Sequence, residues 1–351
     1  MSEPLVSVIL PVRNGGRYLS SAVESLGRQE WRNFELVVVD DGSTDGALEQ
    51  CGEFLKVLPA VQVVRHSESR GIVAALNAGV SAARGDYLAR MDADDVCEPD
   101  RLGRQWAVLN GAGLDLVWCR AMIIDAGNRC LGLTRWDSTL GDPEFVRTLL
   151  YETNCVVHPG VMMRKGLVTG AGGYRDRMRA AEDYDLWLRA VAAGSRLAMM
   201  PDVLLRYRRH TGSATAQGVV RVAMWAEVAR TLASAPRELD IESAILNRAD
   251  RCEDEGTNAM LEVLSGSALL DVVGDLRRQG RWPELVMALR QAKRRPFKHG
   301  PHWWLNAPGA MWIWCALGLI RESLRAAERR VFRYMRVDAD MACAVMRGAS
   351  V

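Results

Sequence analysis

The chain has 351 residues, of which 49% are hydrophobic and 25% charged, and its net charge is +2. These values exclude a disordered, collagen-like or low-complexity chain. The near-neutral balance supplies no global field for nucleic acid, and the length fits one large domain or two modest ones.

Leu5–Val12 and Phe34–Asp40 are short, β-rich apolar runs bounded by turn residues, the pattern of buried parallel strands. Between them, Arg17–Gln29 carries Leu19, Val23 and Leu26 at helical spacing. Val61–Arg65 reads as a third strand, Ile72–Ala83 as a helix, Asp86–Met91 as a fourth strand and Leu114–Cys119 as a fifth. Strand and helix in alternation predict a right-handed α/β sheet, whose ligands sit beyond the carboxyl ends of the strands. Further on, Ala181–Ala193 predicts a helix and Leu197–Tyr207 a strand pair broken at Pro201-Asp202. Beyond Ala216 the pattern turns helical, at Val219–Ala233, Ile241–Val263, Ala268–Gln279 and Glu284–Lys293. The expected division is therefore residues 1–215 and 216–351.

Eight cysteines are scattered with no two within three residues, which fits reduced thiols and shows no zinc ribbon or redox pair. The apolar run at the N-terminus lacks a basic flank and a small-residue cleavage site, so a strand is expected there rather than a signal peptide. Gly274 to Arg347 carries 15 Lys/Arg against 6 Asp/Glu. Within it, Trp303–Ile320 has Asn306 as its one polar side chain, is interrupted by Pro308-Gly309 and is rich in Trp. The basic amphipathic stretch Arg321–Arg336 follows. Together they predict peripheral contact with an anionic membrane surface; the competing expectation is packing of the Trp residues within the protein.

Four polar clusters stand at strand or helix ends. Asp40-Asp41-Gly42-Ser43-Thr44-Asp45-Gly46 follows the second strand; its carboxylates suit a nucleobase or ribose, and Ser43 suits a helix cap. A calcium loop is excluded, because Gly52 stands where the twelfth-position Glu belongs. Asp92-Ala93-Asp94-Asp95 follows the fourth strand. Carboxylates this close repel unless a cation sits among them, and hard ions such as Mg²⁺ or Mn²⁺ prefer such oxygens. Glu182-Asp183-Tyr184-Asp185 opens a helix, either as acids favoured by the helix dipole or as a general base. Tyr207-Arg208-Arg209-His210 suits a diphosphate, and His158-Pro159-Gly160 is a weaker candidate of the same kind.

With these clusters in place, the chain resembles a family 2 glycosyltransferase of the GT-A fold. The matching stretches are Ser7–Leu19 (SVILPVRNGGRYL), Glu35–Gly46 (ELVVVDDGSTDG), Ser69–Gly79 (SRGIVAALNAG), Gly85–Asp95 (GDYLARMDADD), Ala181–Arg189 (AEDYDLWLR) and Tyr207–Ser213 (YRRHTGS). The resemblance implies a Rossmann-like nucleotide-diphosphosugar transferase sheet flanked by helices, a nucleotide-diphosphosugar donor and an inverting single displacement. It implies donor contacts at Pro11, Arg13, Asp40, Asp41, Arg70, Asp92, Ala93 and Arg209. The divalent Mg²⁺ or Mn²⁺ would be held at Asp92, Asp94, Asp95 and His210. Asp183 would be the catalytic base, with His158 and Glu182 as further acceptor or donor contacts. The expected acceptor is a glycan or a lipid-linked sugar in cell-surface glycan synthesis, and the expected place is the cytoplasmic face of the membrane. The competing function is a non-catalytic nucleotide-sugar-binding subunit. A sugar nucleotidyltransferase is excluded, since the first strand is followed by Arg13-Asn14-Gly15-Gly16-Arg17 with no matching Lys.

Overall fold

Alternate residues of an apolar run face opposite sides of a sheet, so a strand apolar throughout needs cover on both faces. The second run satisfies this: Phe34, Leu36 and Val38 join a large core with Val23 and Leu26, while Val37 and Val39 pack with Ala75 on the other side. The computed structural model describes residues 5–134, 138–210, 212–213, 218–235, 239–257 and 259–260, with residues 264 and 272. The chain divides into two compact units, Met1–Arg209 and His210–Val351.

In the first unit the strands are β1 (Val6–Val12), β2 (Phe34–Asp41), β3 (Val61–His66), β4 (Tyr87–Arg90), β5 (Val96–Cys97), β6 (Leu116–Ile124), β7 (Cys130–Leu133), β8 (Val161–Arg164) and β9 (Leu197–Arg208). The helices are α1 (Leu19–Gly27), α2 (Ala47–Gln50), α3 (Gly52–Lys56), α4 (Ile72–Ala82), α5 (Arg101–Gly111), α6 (Pro143–Leu150), α7 (Lys165–Gly170) and α8 (Glu182–Ala192). Among the described residues, nine strands form one sheet in the order β3-β2-β1-β4-β8-β6-β9-β5, with β7 on β6. β1 pairs in parallel with both β2 and β4, and β2 with β3. β8 runs antiparallel between β4 and β6, and β9 is parallel to β6. The carboxyl ends of β1, β2, β4, β6 and β9 therefore share one edge. The strand order reverses direction between β1 and β4, the kind of switch point where open α/β sheets bind ligands.

The parallel half follows the expected elements closely. The antiparallel half corrects one: Leu197–Arg208 is a single strand, not a pair. Its register on β6 jumps from Met200 to Val203, so Pro201 and Asp202 form an irregularity that leaves pairing intact on either side. Asp202 there ion-pairs with Arg104 of α5.

A buried glutamate fastens the opposite edge. Glu35 accepts from Ser7 Oγ at 2.6 Å, Arg84 N at 2.7 Å and Arg84 Nε at 2.7 Å. Burial alone would push its carboxyl up, but these donors outweigh burial and hold it below the usual range.

In the second unit, helices Val219–Ser234 and Leu239–Glu255 are joined by Glu253, which accepts from Arg221 Nε at 2.6 Å and Trp225 Nε1 at 2.7 Å. No helix among the described residues is long and apolar enough to cross a membrane. The helices expected at Ala268–Gln279 and Glu284–Lys293, and the Trp-rich and basic segments after them, lie outside the described residues.

Candidate active site

The loop after β2 is closed by its own carboxylates. Asp41 Oδ1 takes hydrogen bonds from Arg70 N at 2.8 Å and pairs with His66 Nδ1 at 2.7 Å, while Oδ2 accepts from Ser69 Oγ at 2.8 Å and Gly71 N at 2.9 Å. Burial pushes this carboxyl up, yet the donors pull harder and it settles below its ordinary value. Asp41 thus tethers the Ser69–Gly71 loop and the start of α4. Gly42 has φ +70°, and a Cβ there would sit 2.8 Å from the backbone of Glu68 and Ser69, so glycine is what lets the two loops touch.

Asp40 is buried at the end of β2 and accepts from Ser43 N at 2.9 Å. Ser43 does not cap the following helix. Its Oγ accepts from Asn14 N at 3.0 Å, and Asp45 accepts from Ala47 N at 3.1 Å at the start of α2. Asn14 Oδ1 in turn accepts from Thr44 N at 2.9 Å, so the Arg13–Gly16 loop after β1 is stitched to the β2 loop. Pro11, Arg13, Asp40, Asp41 and Arg70 are brought to one side of the switch point. Arg70 joins through its backbone, and its side chain is exposed.

The loop after β4 is built differently. Asp92, Asp94 and Asp95 each offer a carboxylate oxygen, and these atoms lie within 4.8 Å of one another. Asp95 is 0% exposed; its Oδ1 accepts from Arg208 N at 2.8 Å, and its buried Oδ2 has no hydrogen-bond partner. Burial and the charges of Asp92 and Asp94 push the Asp95 carboxyl well above its ordinary value. Asp92 is raised too, by burial, against the pull of its ion pair with Arg90. A hard divalent cation fits this donor set: three clustered carboxylates with one buried oxygen left without a donor. Tyr207 feels the same cluster: burial with the charges of Asp92 and Asp95 pushes its hydroxyl up to about 12.

Arg208 and Arg209 part company. Arg208 is buried: Nε donates to the Asp94 carbonyl at 2.7 Å, Nη1 donates to Asn128 Oδ1 at 2.7 Å, and the guanidinium lies 4.6 Å from the Tyr18 ring centroid. It is a fastener of the acidic loop that the sequence pattern did not distinguish from its neighbour. Arg209 is exposed, with its amide on the Ile124 carbonyl at 2.8 Å. His210 begins the second unit, and its Nδ1 accepts from Gly212 N at 3.2 Å.

Glu182 and Asp183 open α8. Asp183 Oδ1 accepts from Tyr184 N at 2.6 Å and Oδ2 from Asn154 Nδ2 at 3.3 Å, and His158 Nδ1 lies 4.0 Å from Oδ2. Burial raises Asp183, and burial with the adjacent Asp183 charge pushes Glu182 up to about 7. His158 is 7% exposed, and burial together with the Arg90 charge keeps it neutral. Asp185, in the same cluster, is structural. Its Oδ2 accepts from Arg189 Nε at 2.9 Å and Nη2 at 2.7 Å, and Arg189 Nη2 also donates to the Gly173 carbonyl at 2.9 Å. Arg90, Asn154 and Tyr174 were not expected at the site. They sit in apolar or loop sequence, and no periodicity marks them.

An acidic triad at one strand end, a raised carboxylate pair at a helix start and a tied loop beside the switch point match what the resemblance to a GT-A glycosyltransferase implies. The family model described as Glycosyl transferase family 2 matches residues 7–169. The EpsE protein of Bacillus subtilis is 31% identical over 215 residues, covering 59% of this chain and 74% of its own. A glycosyltransferase of Methanocaldococcus jannaschii is 26% identical over 211 residues, covering 59% and 72%. The chain belongs to glycosyl transferase family 2. Two solved structures share the fold. S. aureus TarS 1-349 in complex with UDP-GlcNAc has a TM-score of 0.54 at 17% identity, over 82% of this chain and 90% of that one. Mannosyltransferase PcManGT from Pyrobaculum calidifontis in complex with GDP-Man and Mn²⁺ has a TM-score of 0.54 at 19% identity, over 96% and 86%.

Proposed function

We propose that this family 2 glycosyltransferase moves a sugar from a nucleotide-diphosphosugar donor to a hydroxyl of a glycan or lipid-linked acceptor, with inversion, in cell-surface glycan synthesis. The observation that carries the reading is the buried, partnerless Asp95 Oδ2 inside the Asp92-Asp94-Asp95 triad, at the sheet edge shared with Asp40. The donor and Mn²⁺ complexes of the two structural relatives support it. Asp40 would meet the nucleoside, with Pro11, Arg13 and Arg70 around it and Asp41 holding the loop. Asp92, Asp94 and Asp95 would hold Mg²⁺ or Mn²⁺, which when bound neutralises charge on the diphosphate. Arg209 and His210 would meet that diphosphate, and Ala93 would leave room beside it. Asp183 would take the proton of the acceptor hydroxyl as its oxygen attacks the anomeric carbon. The sugar–phosphate bond breaks on the opposite face, and its electron pair leaves with the nucleoside diphosphate.

Calorimetric titration of UDP-, GDP- and dTDP-sugars, with and without Mn²⁺, tests this on wild type and Asp94→Ala. Mn²⁺-dependent binding of one nucleotide class, lost in the variant, is expected. Binding indifferent to both Mn²⁺ and the substitution would overturn the metal role. The Trp-rich and basic segments between Trp303 and Arg336 would hold the protein at the cytoplasmic face of the membrane. A chain ending near Arg295 should then leave the membrane fraction, and its retention there would contradict the anchor.

A further inference from the structure

We infer that Tyr174 and His158 form a buried positioning pair for Asp183: the Tyr174 hydroxyl donates to His158 Nε2, which fixes the imidazole proton on Nδ1, the nitrogen that faces Asp183 Oδ2. This rests on the reading of Asp183 as the base, and it names residues that act through that carboxylate rather than on substrate.

The geometry leaves the imidazole little freedom. His158 opens a short turn, His158–Gly160, that leads directly into β8. Its ring packs edge-on to Trp187, with centroids 5.7 Å apart at 81°, and against Tyr174 at 5.8 Å. Nε2 pairs with the Tyr174 hydroxyl at 3.1 Å. On the other side, Nδ1 lies 4.0 Å from Asp183 Oδ2. That is an electrostatic distance rather than a hydrogen bond, and catalytic contacts of this kind commonly tighten when substrate binds.

Tyr174 is itself clamped. Asn77 of α4 donates to its carbonyl at 2.8 Å and accepts from its amide at 2.9 Å. The chain can approach Asn77 this closely because Gly173 has φ +80°, and a Cβ there would stand 2.9 Å from Asn77 Oδ1. Since α4 starts at the loop held by Asp41, one series of bonded groups runs from that loop through Asn77 and Tyr174 to His158, whose Nδ1 stands 4.0 Å from the base.

The tautomer follows from donor and acceptor counting. A neutral imidazole carries one N–H. Burial and Arg90 keep His158 neutral, and burial holds the Tyr174 proton in place. An ionised Asp183 can accept but cannot donate. A proton on Nε2 would turn the Nδ1 lone pair toward a carboxylate in a buried setting, whereas a proton on Nδ1 satisfies both neighbours. The charged and titratable groups around the imidazole are Arg90 from β4, Glu182 and Asp183 from α8, and Tyr174 from the preceding loop.

Nitrogen-15 NMR of the full chain labelled at histidine tests this without substrate. The chain has five histidines, and the His158 signals are assigned by their loss in His158→Gln. The expected spectrum has Nδ1 protonated and Nε2 bare, unchanged from about pH 5 to 8. Asp183→Asn should move the Nδ1 signal. Tyr174→Phe, which keeps the buried ring, should move Nε2 and release the single tautomer. A proton on Nε2 in wild type, titration of His158 in that range, or an Nδ1 signal indifferent to Asp183→Asn would overturn the inference. The last result, with transfer still abolished in Asp183→Asn, would leave the base assignment standing and remove only the positioning pair.

Discussion

The loops after β2 and β4 both present adjacent aspartates at the same edge of the sheet, and they treat the charge in opposite ways. Asp41 receives donors from His66, Ser69, Arg70 and Gly71, so its charge is matched within the fold. Asp95 receives the Arg208 amide on one oxygen, keeps a buried oxygen with no partner and shares its surroundings with Asp92 and Asp94. The first carboxyl is held low and the second is driven high. A carboxylate neutralised by its own chain is a fastening. A carboxylate buried among its own kind repels its neighbours, and either a proton or a cation relieves it. Sequence assigns the two loops different ligands, a nucleoside and a cation; what it does not show is which donors the fold sends to each.

The contrast can be broken by substitution, and the largest effect should come from a carboxylate with a chemical task. Asp183→Asn should lower transfer about 10²–10⁴-fold with donor affinity within about twofold, read from steady-state rates and calorimetry. Asp94→Ala should lower kcat/KM about 10²–10³-fold at saturating Mn²⁺, the scale of losing one preorganised electrostatic group. Asp41→Asn should behave otherwise. It places an amide against N–H and O–H donors, leaves some of them unmatched and costs about 2–4 kcal/mol of stability in denaturant titrations.

The pH dependence sharpens the same contrast. Asp41 and Glu35 have lowered carboxyls, so their stabilisation is complete above the ordinary carboxylate range and is lost as pH falls below about 4. Glu182 is raised to about 7, so its ionisation erodes stability as pH climbs from about 4 toward 7. Unfolding free energies measured across that span should fall at both ends. Glu35→Gln should make the acid side less steep, with Asp41 still contributing there, and Glu182→Gln should do the same on the other side, where Asp92, Asp95 and Asp183 still contribute. The smallest effect is expected from Arg84→Ala, below about 1 kcal/mol: its side chain is 64% exposed, and Ser7 with the residue-84 amide still holds Glu35.

The parallel strands β1 to β4 and helices α1, α4 and α8 were legible because apolar runs and helical spacing survive in one dimension. The acidic clusters were legible because strand ends are marked by the turn residues that follow. β5 and β7 were not, since two- and four-residue strands carry no period, and β8 is a short apolar stretch after a turn. Pro201 looked like a break because proline cannot donate to a ladder, yet a local irregularity on β9 absorbs it. Asn77, Asn154 and Tyr174 were invisible for another reason. Asn77 reaches Tyr174 across 97 positions and Asn154 reaches Asp183 across 29, and only the folded chain makes them neighbours. The Asp40-Asp41 pair was legible as a polar cluster at a strand end, but the internal saturation of Asp41 was not.

The most direct test of the central claim is the melting temperature of wild type and Asp95→Asn at pH 8, with and without Mn²⁺. The asparagine keeps an oxygen for the Arg208 amide and supplies N–H donors to Asp92 and Asp94. Without metal the variant should therefore melt above wild type, by about 2–4 °C for each kcal/mol of repulsion relieved. Mn²⁺ should raise the wild type by mass action and leave the variant nearly unmoved. A variant that melts lower without metal, or a wild type that Mn²⁺ does not stabilise, would contradict the reading of this triad as a cation site.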